Sequence, residues 1–442
     1  MNQPGGGSLD GGNAPVRVPL GKIARILNGG TPSPDSDNWG GDIPWATPVD
    51  LNLSDGLRIS ATGRSLTVQG LKTGSALAPK GSVLLSTRAP IGYVSLTDAP
   101  TAFNQGCKAI VPGPNVHGPF LLRLIQAARA DLVALGQGST FQELSTSALK
   151  SYAAPLPDWQ RQVAVAQFLD RETGTIDAFI QDQEELVVLL RERRAAAISQ
   201  AVTKGLNPHT PMTETGVPWL GLAPNHWTPG RLRDAVRSSK NGLWGDEPDG
   251  LADIRCIRVA DFDRSRQRVH DRDVTMRSIR RTDLAGRTLR RGDLLLEKSG
   301  GGEKSPVGFV VMFDSNESAV TSNFVARISL RTDMDPAFWT YVHGFFYERR
   351  LTQRSLKQST GIQNLDASSY LAERVQIPPL EEQQAISSYL EETTGKLDAS
   401  ITDARHAISL LRERRSALIS AAVTGKIDVQ EYVRGVTGEH SA

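Results

Sequence analysis

Few residues of this chain are spaced as chemistry would require. The seven histidines (His117, His209, His226, His270, His343, His406 and His440) show no metal-ligand spacing, and His343 and His406 read as surface or satisfied helix histidines. Cys107 and Cys256 are the only cysteines and lie far apart, which argues against a disulfide scaffold or a cysteine zinc site and fits a reducing compartment. Gly300-Gly301-Gly302-Glu303-Lys304-Ser305 has the composition of a phosphate-binding loop but not the Gly-x-x-x-x-Gly-Lys-Ser/Thr spacing, and no obvious helix follows it. Asp293 with Glu297-Lys298 resembles a nuclease metal site, but the Glu-to-Lys spacing is wrong, and a turn leading into a strand is the expected structure. An amino-methyltransferase grips its target base with a polar-Pro-Pro-aromatic loop. The only Pro-Pro here, Pro378-Pro379, is followed by Leu380. No catalytic residue, no metal ligand and no cofactor bound by this chain are expected.

Binding is the chemistry that remains, and charge suggests of what. Net charge is only +2, but it is unevenly placed. Residues 16–150 carry 12 basic and 8 acidic side chains, and residues 226–376 carry 25 and 20. Residues 158–204 and 381–426 are slightly acidic. Within 255–291 the imbalance reaches 12 against 5. A polyanionic partner for the basic regions is one reading; a solvated arginine-rich surface is the other.

The elements that would position such a surface are set by a repeat. Leu189-Leu190-Arg191-Glu192-Arg193-Arg194 recurs as Leu410-Leu411-Arg412-Glu413-Arg414-Arg415, 221 residues later. At the same offset Pro157 matches Pro378, Gln162 matches Gln383, Thr173-Gly174 matches Thr394-Gly395, Asp177 matches Asp398, Ile198-Ser199 matches Ile419-Ser420, and Val202-Thr203 matches Val423-Thr424. Two helical segments are therefore copies, and the chain is two halves, each a globular region followed by a helical one. Each copy predicts a short helix ending at Gly174 or Gly395, then a long helix over about 175–203 or 396–424. Ile176, Ile180, Gln183, Val187, Leu190, Arg194, Ala197 and Ala201 follow the alternating four-three spacing of a heptad seam, as do Leu397, Ile401, Ala404, Ile408, Leu411, Arg415, Leu418 and Ala422. The simplest partner for each seam is the other copy, packed antiparallel about a pseudo-twofold axis. About 28 residues at 1.5 Å each make roughly 42 Å, slightly more than one DNA turn. Arg194 and Arg415 fall in the seam and need partners, with Glu192 and Glu413 as candidates.

The globular regions read as strands broken by Gly, Pro, Asp and Asn. Lys80-Gly81 leads into the buried strand Val83-Leu84-Leu85, and Ile91 to Leu96 forms the next. Phe120 to Leu135 has helical periodicity. The second region repeats the order: Arg291-Gly292 before Leu294-Leu295-Leu296, Asn323-Phe324-Val325-Ala326 answering Asn104-Gln105-Gly106-Cys107, and a helix over Phe338 to Leu351. The expected organisation is a disordered Gly-rich lead (1–15), a globular domain (16–155), a helical spacer (156–206), a linker pinned by Trp219 and Trp227 (207–225), a second globular domain (226–376), a second helical spacer (377–426) and a tail (427–442). The lead has no apolar core of a signal peptide, and no uncharged apolar run is long enough to span a bilayer, so a cytoplasmic protein without membrane contact is expected.

With these residues in place the chain resembles the specificity subunit of a type I restriction–modification system. The carriers are Pro157 to Gln162, Leu189 to Arg194, Ala201-Val202-Thr203-Lys204-Gly205, the linker from Pro218-Trp219-Leu220-Gly221 to Trp227, Ile377 to Gln383, and Val423-Thr424-Gly425-Lys426. The resemblance implies an α+β fold: two mixed α/β target recognition domains with β-rich cores, joined and separated by two long antiparallel helices forming a coiled coil. It implies a non-catalytic protein that reads a bipartite, asymmetric duplex DNA site, one domain per half-site. It implies two methyltransferase subunits docked on the helices and two restriction subunits. S-adenosylmethionine, ATP and Mg would sit on those partners. The competing readings are a helical-repeat scaffold holding two protein-binding domains apart and a self-contained fused methyltransferase.

Bases are read by polar groups at groove edges. The DNA-contact candidates of the first domain are Thr47, Asp50, Ser86, Thr87, Arg88, Asn104, Gln105, Gln137, Ser139 and Thr140. Those of the second are Lys240, Arg258, Asp261, Lys298, Ser299, Lys304, Asn323, Lys357, Ser359 and Thr360. Trp45 and Trp244 are candidate stacking residues, with core packing favoured for Trp45. Gln162, Phe168, Arg191, Arg193, Gln383, Tyr389, Arg412 and Arg414 are candidates for contact with the partner subunits.

Overall fold

The computed structural model describes residues 16–53, 57–88, 90–136, 142–251, 253–302, 305–359 and 362–429; the Gly-rich lead lies outside them. The chain forms two compact units. Unit 1 holds the residues up to Glu184 and those from Arg405 onward; unit 2 holds Glu185–Ala404.

Unit 1 is built on a five-stranded sheet in the order Ala24–Asn28, Cys107–Pro112, Val83–Ser86, Val94–Thr97, Arg58–Ile59. Val83, Leu84 and Leu85 are wholly buried, as their apolar run predicts. Beside it Trp39–Ala46 pairs antiparallel with Ser65–Leu66 and parallel with Thr101–Phe103. The predicted helix after the sheet is two pieces, α1 (Gly118–Ala127) and a further turn over Arg129–Ala134. Next comes α2 (Trp159–Lys204).

Unit 2 repeats this plan. Its main sheet begins Val236–Asn241, Val325–Leu330, Leu294–Glu297, Val310–Met312. Asp253–Ile257 pairs antiparallel with Met276–Ser278 and parallel with Ala319–Thr321. Then follow α3 (Pro336–Glu348) and α4 (Leu380–Val423). The linker lies on this unit. Trp219 meets Phe346 edge-on at 5.0 Å, and Trp227 donates its indole N–H to Glu382 at 3.0 Å.

The long helices differ from expectation in one respect. Gly174 and Gly395 do not end a helix; α2 runs unbroken for 46 residues and α4 for 44. A Cβ at either glycine would meet nothing within 4 Å. A solvent-facing glycine costs a helix only about 1 kcal/mol, and the apolar face buried on both sides of it exceeds that. Each helix is thus about 66–69 Å long rather than 42 Å.

The seam is as read. In unit 1 Asp177 and Glu184 of α2 meet Arg415 and Arg412 of α4, so the order reverses and the helices run antiparallel. In unit 2 Val187 and Leu190 pack with Ile401 and Ala404, and Arg194 meets Asp398 at 2.9 Å, again antiparallel. The seam arginines are paired by Asp177 and Asp398, not by Glu192 and Glu413. Asp177 and Asp398 are each other's copies, so one interaction is made twice.

The copied residues beyond the seam build sockets on the globular cores. Gln162 is buried; its carbonyl accepts the N–H of His117, the N-cap of α1, and its amide donates to Asn115 and Pro157 carbonyls. Gln383 does the same in unit 2. It accepts the N–H of Asp335, the N-cap of α3, and the indole N–H of Trp339, and donates to the Pro378 carbonyl. Thr173 and Thr394 bond back to Leu169 and Leu390, and their hydroxyls touch Arg123 and Tyr341 respectively. Ile419, Ala422 and Val423 of α4 are part of the unit 1 core; their copies Ile198, Ala201 and Val202 of α2 are part of the unit 2 core.

Candidate nucleic-acid interface

The shared frame lets the loops of the two units be compared position by position. Cys107 lies opposite Ser86 in one sheet and Val325 lies opposite Glu297 in the other. Asn323 therefore answers Gln105, one residue along from the match expected with Asn104. Asn104 N–H bonds the Ala46 carbonyl and Ser322 N–H the Ile257 carbonyl, so Thr47 answers Arg258 and Asp50 answers Asp261.

Several candidate residues prove to be loop-builders. The backbone N–H and hydroxyl of Thr47 both donate to Asp50, whose other oxygen takes the N–H of Gly63. Asp261 is buried and accepts both the backbone N–H and the guanidinium of Arg258. Ser86 and Thr87 have no exposed surface; Ser86 bonds Pro90 and Tyr93, and Thr87 bonds Gly106. These two serve the sheet edge and are removed from the contact set, as is Asp261. Ser299 donates to Asn364, and Lys357 is held by Asp366 at 2.6 Å.

What faces solvent is a shorter set. In unit 1 it is Gln105 and Arg88, the latter paired with Glu143 at 3.1 Å, with Asn104 half-buried and accepting the N–H of Gly106. In unit 2 it is Lys240 and Asn323, with the half-buried Lys298, whose ammonium is pushed below the usual lysine range by burial. Phe324, 46% exposed, stands where unit 1 has Gly106. Gln137, Ser139, Thr140, Lys304, Thr360 and the side chain of Ser359 lie outside the described residues.

Sequence reading passed over one residue on this surface, Arg64. Its guanidinium carbon lies 3.5 Å from the ring centroid of Trp39 and 5.5 Å from that of Trp45. The rings meet edge-on at 4.9 Å, and their N–H groups are fixed on the Ser33 and Gly30 carbonyls. Beside Gly30, the Thr31 hydroxyl bonds Gln105. Trp39 and Trp45 lie on one strand with a register shift between Trp39 and Ile43, so strand alternation does not by itself bring the rings together; two tryptophans so close in the chain were the available signal. In unit 2 Arg277 lies 4.1 Å over Trp244, but the register matches Arg64 with Thr275: the Thr275 carbonyl takes the Cys256 N–H as the Arg64 carbonyl takes that of Trp45.

Six of the twelve arginines at 255–291 are held in ion pairs. Arg255 pairs with Asp271 and Glu317, Arg258 with Asp261, Arg264 with Glu297, Arg268 with Asp314, Arg277 with Glu247 and Arg280 with Asp283. The carboxylates that resembled a nuclease site are structural: Asp293 binds Arg327 and Ser329, and burial lifts Glu297 above the ordinary carboxyl range while Arg264 opposes this. Among the described residues no group of His, Cys, Asp or Glu could hold a metal ion, and no helix is long and apolar enough to cross a membrane.

The candidate partner residues divide in the same way. Gln162 and Gln383 are the sockets described above, and Phe168 belongs to the unit 1 core, so burial removes all three. Arg191 and Arg193 in unit 2 and Arg412 and Arg414 in unit 1 are exposed. Leu189 and its copy Leu410 are 61% and 50% exposed, and Tyr389 is exposed too. The repeated hexapeptide thus turns only Leu190 and Arg194, or Leu411 and Arg415, toward the seam.

Residues 16–186 match the family described as type I restriction modification DNA specificity domain. The chain is 38% identical over 151 residues to the type I restriction enzyme MjaIX specificity subunit of Methanocaldococcus jannaschii, covering 33% of this chain and 35% of that one. It is 26% identical over 162 residues to the EcoR124I/EcoR124II specificity subunit of Escherichia coli, covering 34% and 39%. The matched stretches thus span little more than a third of these relatives. The StySPI specificity subunit of Salmonella potsdam is 20% identical over 351 residues, 77% of this chain and 73% of that one. A solved chain from work on the assembly and conformational transition of the type I R-M system superposes with a TM-score of 0.71 at 14% identity, over 94% of this chain and 99% of that one. The HsdS subunit from Thermoanaerobacter tengcongensis superposes at 0.52 and 15% identity, over 93% and 97%; both likenesses concern the fold. Residues 16–186 are thus similar to the DNA specificity domain of type I restriction–modification systems, and the chain as a whole shares the fold of the solved specificity-subunit chain.

Proposed function

We propose that this chain is the non-catalytic DNA-reading subunit of a type I restriction–modification complex, recognising a bipartite, asymmetric duplex site with one unit per half-site. One observation carries the reading. The two units share a frame but present different side chains at matching positions of its edge: Gln105 against Asn323, Gly106 against Phe324, Thr47 against Arg258. Two unlike reading edges suit two unlike half-sequences. By contrast, the outward residues of the repeated hexapeptide are identical in both copies. Exposed leucines ringed by arginines, made twice, suit two copies of one protein partner, the methyltransferase subunit. In unit 2 this face borders a groove of about 730 Å³ lined by Arg191, Lys204, Arg349, Phe309 and Tyr341, which favours an acidic, partly apolar segment. Restriction subunits would join the same complex, and S-adenosylmethionine, ATP and Mg would be held by the partners.

The test is duplex binding by the full chain at increasing salt. Phosphate contacts predict a steep linear fall of log affinity with log salt. A flat response, or no preference among duplex sequences, would leave a protein scaffold as the better reading.

A further inference from the structure

We propose that Arg64 is a specificity-determining residue of unit 1, recognising one guanine of its half-site through the major groove. This rests on the DNA-reading function above and assigns it a residue.

Arg64 is exposed, and among the described residues no carboxylate pairs with it. It is nevertheless held. Its carbonyl accepts the Trp45 N–H at 3.0 Å and the Thr62 hydroxyl at 2.6 Å, and its neighbour Gly63 is tied to Asp50. The guanidinium rests on a tryptophan wall whose N–H groups are themselves fixed. Stacking covers a face of the guanidinium and leaves its in-plane N–H edges open. Fixing them in advance removes the ordering cost that a free arginine meets on binding.

A fixed fork suits a phosphate as well, but that contact carries no sequence preference, which the test below separates. A base contact gains much. Guanine alone presents two acceptors side by side in the major groove, O6 and N7; adenine replaces one with an amino donor, which a donor-only guanidinium rejects. Unit 2 supplies the contrast. Arg277 also lies over a tryptophan, Trp244, but Glu247 binds its guanidinium and its side chain is only 13% exposed; the residue in register with Arg64 is Thr275. That fork is already used, so the inference concerns unit 1 alone.

The full chain is incubated with a randomised duplex pool, and bound sequences are read for wild type, Arg64→Lys and Arg64→Gln. Wild type is expected to enrich a motif with guanine at a position that Arg64→Lys leaves nearly even, a loss of roughly tenfold in preference. Arg64→Gln is expected to move that position toward adenine, the base a glutamine amide pairs with in two places. Other positions and the salt slope stay as in wild type. An unchanged motif in both variants overturns the inference. So does uniform weakening at every position with a shallower salt slope, which marks a phosphate contact. Loss of the folded state in both variants would make Arg64 structural and overturn it as well. A wild-type chain that enriches no motif defeats the DNA-reading function itself.

Discussion

Replacing Gln383 with leucine tests the socket that seats α4 on its globular core. Leucine fills similar space but strands three buried groups: the Asp335 N–H, the Trp339 indole N–H and the Pro378 carbonyl. Gln383 has no exposed surface, so water does not readily replace its amide. Each stranded group costs about 1–3 kcal/mol. Small shifts of the N-cap and added apolar contact offset part of this, leaving a loss of about 3–4 kcal/mol in unit 2. With a urea dependence of about 2 kcal/mol per molar, the unit 2 midpoint falls by about 1.5–2 M. Tryptophan fluorescence in urea is the assay, because Trp339 sits in the socket. Gln162→Leu should move the unit 1 transition instead. A midpoint shift under about 0.3 M in Gln383→Leu would refute the socket and restore Gln383 as a candidate partner contact.

Ile419→Ala should destabilise unit 1 and Ile198→Ala unit 2, each by about 2–4 kcal/mol in urea unfolding, since each side chain is buried in that unit's core. Asp177→Asn and Asp398→Asn should each cost only about 1 kcal/mol, because both carboxylates are about half exposed, and the difference from wild type should shrink in 1 M salt. His343 is buried against the Tyr370 hydroxyl at 2.6 Å, and burial pushes it down to about 4. A histidine depressed in the folded state binds its proton more readily when unfolded. Its contribution is therefore complete above about pH 6.5 and is lost as pH falls toward 4, about 2.5 kcal/mol by pH 4.5, which His343→Gln would remove from the unit 2 pH profile. Burial pushes the Cys107 thiol up to about 12 and Cys256 up to about 11, so neither should take up iodoacetamide at pH 8 until its unit unfolds, as followed by intact mass.

Periodicity is a local property, so the heptad seam and the strands Val83–Ser86 and Leu294–Glu297 were legible residue by residue. Gly174 and Gly395 misled because a glycine announces its cost and not the burial that outweighs it. Gln162 and Gln383 misled for another reason. A residue kept in two copies looks the same whether it meets a partner or its own domain, and only the fold brings His117 and Asp335 to it. Charge counting over 255–291 overstated the free positive charge. Arg264, Arg268, Arg255 and Arg277 find Glu297, Asp314, Glu317 and Glu247 through pairings that no window of sequence contains. Arg64 was hidden likewise, since a lone arginine means little until it lies on Trp39.

The most direct measurement of the central claim is the base-resolved methylation map of the host genome with and without this chain. A split, asymmetric methylated motif that disappears on deletion is expected. Exchanging the residue 16–155 domain for that of a relative is expected to rewrite one half of the motif and leave the other intact. An unchanged map on deletion, or both halves rewritten by the single exchange, would contradict it.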